Sequence, residues 1–121
     1  MRGFRATRAH VNTLIAASGE TITARARWLV RNNGYAVNAV ESWAANTVGD
    51  GIKPISKLAD AARKEELQRL WHAWTDEADA EGLTDFYGLQ RRAAREVFLA
   101  GEVFVRIRPR RVEDGLTVPL Q

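Results

Sequence analysis

Residues 101–121 read "GEVFVRIRPRRVEDGLTVPLQ", and the period of that stretch decides the fold class. Val103, Val105 and Ile107 alternate with Phe104, Arg106 and Arg108, the two-residue repeat of a strand whose faces meet different surroundings. "EDG" at 113–115 has the composition of a hairpin turn, and "LTVPLQ" at 116–121 begins a return strand. A two-stranded hairpin is marginal by itself, and the return strand has only a few residues, so the pattern predicts the front of a longer polypeptide. The expected class is therefore α+β: a mainly helical N-terminal part of about four helices, followed by a β-hairpin that begins an incomplete sheet.

Upstream of Gly101 the period is 3.6. The spacing predicts a helix over about 21–32, with Ile22, Ala26, Leu29 and Val30 on one face and "NNG" at 32–34 as its stop. A second helix is predicted over about 35–48, striped by Val37, Val40, Ala44 and Val48 and ended by Gly49. The third, over about 61–81, carries Leu67, Leu70, Trp71, Trp74 and Ala78 on one face, with Gly82 closing it. Asp85 then caps a fourth over 86–100, with Phe86, Leu89, Ala93, Val97 and Ala100 in its stripe. Phe98 and Leu99 lie off that stripe, which predicts a second covering for this helix. Residues 1–20 show weak periodicity and high basicity, and read as a loosely attached basic arm ahead of a body at 21–121.

Charge is uneven along the chain. The 121 residues carry a formal net charge of +3, with 18 Lys+Arg against 15 Asp+Glu, and nearly all the bases are arginine. That residue makes planar, bidentate contacts with phosphates and carboxylates alike. Arginines crowd 1–34 and 106–111, and acids crowd 76–85. Complementary surfaces and ordinary solvated helix faces both fit this distribution. The absence of cysteine excludes a disulfide framework and a thiolate metal site. No apolar run approaches the roughly 18 residues of a membrane span, so the composition predicts a soluble chain of cytoplasmic type with no membrane partner.

The chemical motifs fail on spacing. "VGDGIKP" at 48–54 has glycines two apart, no Lys-Ser/Thr after them and a helix before them, whereas a phosphate-binding P-loop needs G-x-x-x-x-G-K-[ST] between strand and helix. It reads instead as a helix end and a turn fixed by Pro54. "EADAEG" at 77–82 imitates a calcium loop, but the twelfth position, where a bidentate Glu belongs, is Gly88. His10 and His72 stand apart from each other and from any nucleophile motif, and Trp71 and Trp74 are core by spacing. No catalytic constellation, metal site or cofactor is predicted. Arg106, Arg108, Arg110 and Arg111 remain as candidates for phosphate contact. Two further readings are an edge strand that uses charge against aggregation and pairing with the acidic segment of a neighbouring subunit. Asp76, Asp79 and Glu81 are the candidate acids of such an interface.

Taken in order, several strings resemble one family. "RARWLVRNNGYAVNAV" precedes "NTVGDGIKPIS", then "LWHAWTDEADAEGLTDFYGLQRRAAREVFLAGEVFVRIRPR", then "GLTVPLQ". The series is similar to the N-terminal region of lambda-type bacteriophage portal proteins, with their R-N-N-x-x-A, V-V-G-x-G-I-x-P, W-x-x-W-x-x-x-x-D-x-x-G, D-F-x-x-L-Q and G-E-x-F-V-R strings. Thr47 replaces the first valine of the second string, and Gly34 stands where proline is common.

The resemblance implies a structural subunit, not an enzyme. Such a subunit belongs to a dodecameric ring at one capsid vertex, through which terminase pumps double-stranded DNA and to which head-tail joining proteins attach. Its place would be the virion, with assembly in the host cytoplasm. The matching region corresponds to the wing part of the subunit, so the stem, clip and crown would follow Gln121 and the chain would be an N-terminal fragment. The residues alone also allow a small stand-alone DNA-binding regulator that uses the basic arm and the arginine strip.

Overall fold

The computed structural model describes residues 9–121. It contains four α-helices, α1 (Val11–Asn32), α2 (Gly34–Val48), α3 (Ala61–Glu77) and α4 (Phe86–Ala100), followed by a single 3-10 turn at Val112–Asp114. Among the described residues there is no strand and no sheet, and the fold is all-helical. The predicted α+β class with a β-hairpin is corrected on this point. The turn falls where "EDG" put it, with Gly115 left-handed at φ 72°, and Arg108 and Gln121 exchange backbone hydrogen bonds. Pairing stops at one isolated antiparallel bridge, Pro109 to Leu120. Residues 102–107 take no part in it and lie exposed without regular structure. Alternation states which side chains would share a face; a ladder also needs a partner strand, and the described residues supply none to 102–107.

The helix boundaries follow from side chains that satisfy terminal amides. Asn33 is extended and ends α1, while its Oδ1 accepts from the amides of Tyr35 and Ala36 and so starts α2. The break expected from "NNG" is therefore made by Asn33, and Gly34 is already helical. Asp60 caps α3 in the same way, and Asp85 accepts from the Gly88 amide at 2.7 Å to start α4. Gly101, left-handed at φ 83°, ends α4.

Two bounds differ from the periodic reading. Helix α1 begins ten residues earlier than predicted, so residues 11–20 of the expected arm are helical; residues 1–8 of that arm lie outside the described residues. This first half of α1 is almost wholly exposed, so burial imposed no stripe on it by which the helix could be read. Helix α3 stops four residues before the predicted Glu81, for a reason that lies in Asp79 and is given below.

Helix α4 is central. It packs against α1, α2 and α3, which accounts for its surplus of apolar residues. Phe98, off the predicted stripe, meets Trp43 of α2 with ring centroids 5.3 Å apart. Ion pairs fix the same junctions: Glu41 of α2 receives Arg91 and Arg95 at 2.9 and 2.6 Å, and Arg27 of α1 reaches Glu96 at 2.9 Å. The core between these helices is thin. Its fully covered apolar residues are Val40, Ala44, Ala78 and Ala94. Large apolar side chains correspondingly stay exposed among the described residues, among them Trp28, Tyr35, Ile55, Leu83 and Phe104.

Candidate functional site

The best-built region joins the loop after α2 to the facing ends of α3 and α4. Gly49, at φ 61°, ends α2 by donating its amide to Ala45 O at 2.8 Å. Gly51 follows at φ 111° with its Cα against Tyr87; a Cβ there would come within 2.7 Å of Tyr87 Cγ and closer still to Cδ1. The next residue is held by its backbone. Gln90 accepts from the Ile52 amide at 2.7 Å and donates to the Ile52 carbonyl at 3.2 Å, so one side chain clamps the loop onto α4 as a strand partner would. Lys53 then bonds Asp50 at 2.8 Å and lies 5.7 Å over the Tyr87 ring. "VGDGIKP" thus binds its own fold: one glycine ends a helix and the other lets the backbone meet an aromatic face.

Beside this clamp sits an aromatic cluster. Trp71 and Trp74 of α3 meet Phe86 of α4 at centroid distances of 5.4 and 4.9 Å. Each indole N–H has a partner, Trp71 donating to Tyr87 Oη at 3.4 Å and Trp74 to the Leu120 carbonyl at 2.8 Å, as partly buried indoles require. The tryptophans are half-buried rather than central. Their outer edges, with Leu67, Leu70, Ile55 and Leu120, line an open apolar hollow of about 490 Å³.

The predicted acids are not equivalent. Asp76 and Glu81 are exposed, but Asp79 is only 8% accessible. Its carboxylate accepts from the amides of Glu81, Leu83 and Thr84 at 3.1, 3.0 and 3.1 Å. The chain therefore wraps around Asp79 instead of continuing α3, which is why the helix ends early. These bonds, that from Glu81 first, hold the Asp79 carboxyl below its ordinary value of 3.8. The carboxylate is engaged by the amides of its own turn. Glu41, missed in the sequence reading, is likewise held low by Arg91 and then Arg95. The Arg91/Arg95 spacing of four was legible, but the acid 50 residues upstream was not.

The arginine strip also divides. Arg110 pairs with Asp114 at 3.0 Å, and the Arg111 amide donates to the same carboxylate, so both belong to the turn. Arg106 and Arg108 are exposed and make no ion pair among the described residues, and none joins the strip to Asp76, Asp79 or Glu81. A second, more polar cleft of about 280 Å³ lies between α1 and α4, lined by Arg27, Arg31, Arg95 and Glu96. Among the described residues no group of acids and histidines is placed to hold a metal ion, and no helix is long and apolar enough to cross a membrane.

Three of the family strings converge on this region: "VGDGI" supplies Gly51 and Ile52, the paired tryptophans supply the cluster, and "DFYGLQ" supplies the cap, Phe86, Tyr87 and Gln90. No curated protein and no solved structure matches the chain. A family model described as phage portal protein, lambda family, matches residues 1–121, and the chain belongs to that family.

Proposed function

We propose that this chain is part of a portal subunit that assembles into a dodecameric ring at one capsid vertex, with residues 21–121 in the wing. The portal role itself is structural rather than catalytic and follows from family membership. In the fuller reading the ring is the passage for double-stranded DNA during packaging and ejection. Its partners in that reading are terminase, the capsid and the head-tail joining proteins, in the virion and, before that, in the host cytoplasm.

The observation that supports this reading is the family match across all 121 residues. The exposed large apolar side chains among the described residues, Trp28, Leu83 and Phe104 among them, are in keeping with it, since a ring subunit covers two flanks with neighbours. Native mass spectrometry of the full-length protein tests it. A twelve-subunit species that negative-stain images show as a ring is the expected result; a monomer or dimer at micromolar concentration would overturn it.

A further inference from the structure

The cleft between α1 and α4 gathers more guanidinium than the fold consumes. Arg27 and Arg31 of α1 and Arg95 of α4 line it, with Val30 and Leu99 as apolar walls and Glu96 as the acid among its lining residues. Arg27 and Arg31 stand one turn apart on the same side of α1, about 6 Å along the helix. Arg27 gives one terminal nitrogen to Glu96 in a half-exposed pair, and a pair so open to water contributes little. Arg95 spends its Nε on Glu41, which Arg91 also holds, and its terminal nitrogens make no hydrogen bond among the described residues. Arg31 has neither an ion pair nor a side-chain hydrogen bond among them. Arg27, Arg31, Arg91 and Arg95 thus face two acids, Glu41 and Glu96, and two positive charges lack a counter-ion there.

We infer that this cleft takes a phosphate of the DNA backbone, held by Arg31 with Arg27 and Arg95 beside it. The helix dipole accounts for one base in the last turn of α1. It does not account for guanidiniums from two helices around one concavity. The volume of about 280 Å³ admits a phosphate group but falls short of the pocket a drug-sized ligand fills, and the cleft is open, so the phosphate can belong to a polymer. A side-chain carboxylate is the weaker fit. It brings one charge and two acceptor oxygens, and Glu41 shows that two guanidiniums already satisfy it. An excess of two charges suits a backbone that carries a charge at every step. Phosphate contacts read no bases, so binding here is independent of sequence. The inference rests on the portal reading for its polymer, double-stranded DNA, and gives that polymer a place of contact.

Phenylglyoxal modification of the full-length protein, read peptide by peptide by mass spectrometry, reports on each arginine without any substitution. A short DNA duplex of mixed sequence should protect Arg31 and leave Arg25, on the opposite side of α1, as reactive as before. Binding measured across a salt series then counts contacts. Arg31→Gln should lower the slope of log affinity against log salt by about 1, for duplexes of any sequence. Arg31→Lys should keep the slope, because the point charge stays, and Arg25→Gln should keep it too. Glu96→Gln removes the carboxylate that competes for Arg27 and should tighten duplex binding.

Equal protection of Arg25 and Arg31, or equal loss of slope in Arg25→Gln and Arg31→Gln, would reduce the effect to overall charge and overturn the inference. So would a loss of slope carried wholly by Arg106→Gln and Arg108→Gln, which would put the phosphate on the strip. Protection of Arg31 by inorganic phosphate but not by duplex would overturn it in favour of a free ion. Rings that fall apart in Arg31→Gln while duplex affinity stays at the wild-type value would overturn it in favour of a neighbour's carboxylate. Protection of Arg31 by duplex in a protein that forms no ring keeps this site and sinks the portal reading. A twelve-subunit ring whose Arg31 stays reactive under duplex does the reverse.

Discussion

The loop at 49–53 and the segment at 102–107 are both short, irregular and fed by a helix that ends in a left-handed glycine, yet they end in opposite states. Every unusual residue of the loop has a partner a few ångströms away: Gly51 lies on Tyr87, Ile52 is clamped by Gln90, and Lys53 meets Asp50. The later segment has strand alternation and large apolar side chains, and nothing among the described residues answers them. The difference lies in where the complement is stored. The loop's complement is on α4 of the same chain. The segment's complement is not among the described residues, and its backbone has no ladder there.

That contrast breaks first at Gly51. Gly51→Ala places a Cβ against the Tyr87 ring in a left-handed backbone, and should destabilise by about 3 kcal/mol in urea unfolding. Gly82 is the control, because it is also left-handed, at φ 65°, but has nothing within 4 Å of an added Cβ; Gly82→Ala should cost about 1 kcal/mol. Equal losses at the two positions would mean that the close approach to Tyr87 has no energetic weight. Next in size is Gln90→Ala, which leaves the Ile52 amide and carbonyl without their side-chain partner. A loss of about 1–2 kcal/mol, with faster hydrogen exchange confined to the 50–53 amides, is expected. Unchanged exchange there would show that the clamp does not hold the loop.

The same division explains what was legible in the sequence. The bodies of α2, α3 and α4 were readable because one face of each is covered, and burial writes a 3.6-residue stripe. The first ten residues of α1 are exposed on nearly every side, so nothing forced a stripe and the helix read as an arm. The end of α3 was misplaced because Asp79 gathers three amides that lie beyond it, a choice that residue spacing does not record. At 102–108 the alternation is plain, but a strand needs a second strand as well. The glycines of the loop were readable as backbone devices. Their partners Tyr87 and Gln90 were not, since a contact across 36 or 38 residues leaves no local mark. The strip and the acids were read as two blocks, and each splits on folding because Arg110, Arg111 and Asp79 bond within their own turns.

Asp79 gives a smaller effect at neutral pH with a distinct signature on acidification. Its folded carboxyl titrates below the ordinary value of 3.8, so the charged form is the one the fold stabilises. That contribution is fully present above about pH 4 and is lost as pH falls through the lower folded value. Asp79→Asn keeps one acceptor oxygen and removes the titration. The wild type should therefore lose more melting temperature than the variant between pH 5 and pH 2.5 on the scale of ordinary carboxylates. Glu41, held low by Arg91 and Arg95, titrates in both proteins and leaves a common acid limb. Parallel curves for the two proteins would place the Asp79 carboxylate outside the folded network.

The smallest expected effect is the one that best separates the two regions. Val105→Ser removes a large apolar side chain that is 78% exposed, so within one subunit it deletes almost no packing. Its unfolding free energy at concentrations where subunits stay apart should move by no more than about 0.5 kcal/mol. Gln90→Ala, which breaks a clamp within the subunit, should by contrast show its loss of about 1–2 kcal/mol in the same measurement. If Val105→Ser instead destabilised the isolated subunit by more than about 1 kcal/mol, residues 102–107 would be packed against their own chain in solution. The distinction between a loop answered from within and a segment left unanswered among the described residues would then collapse.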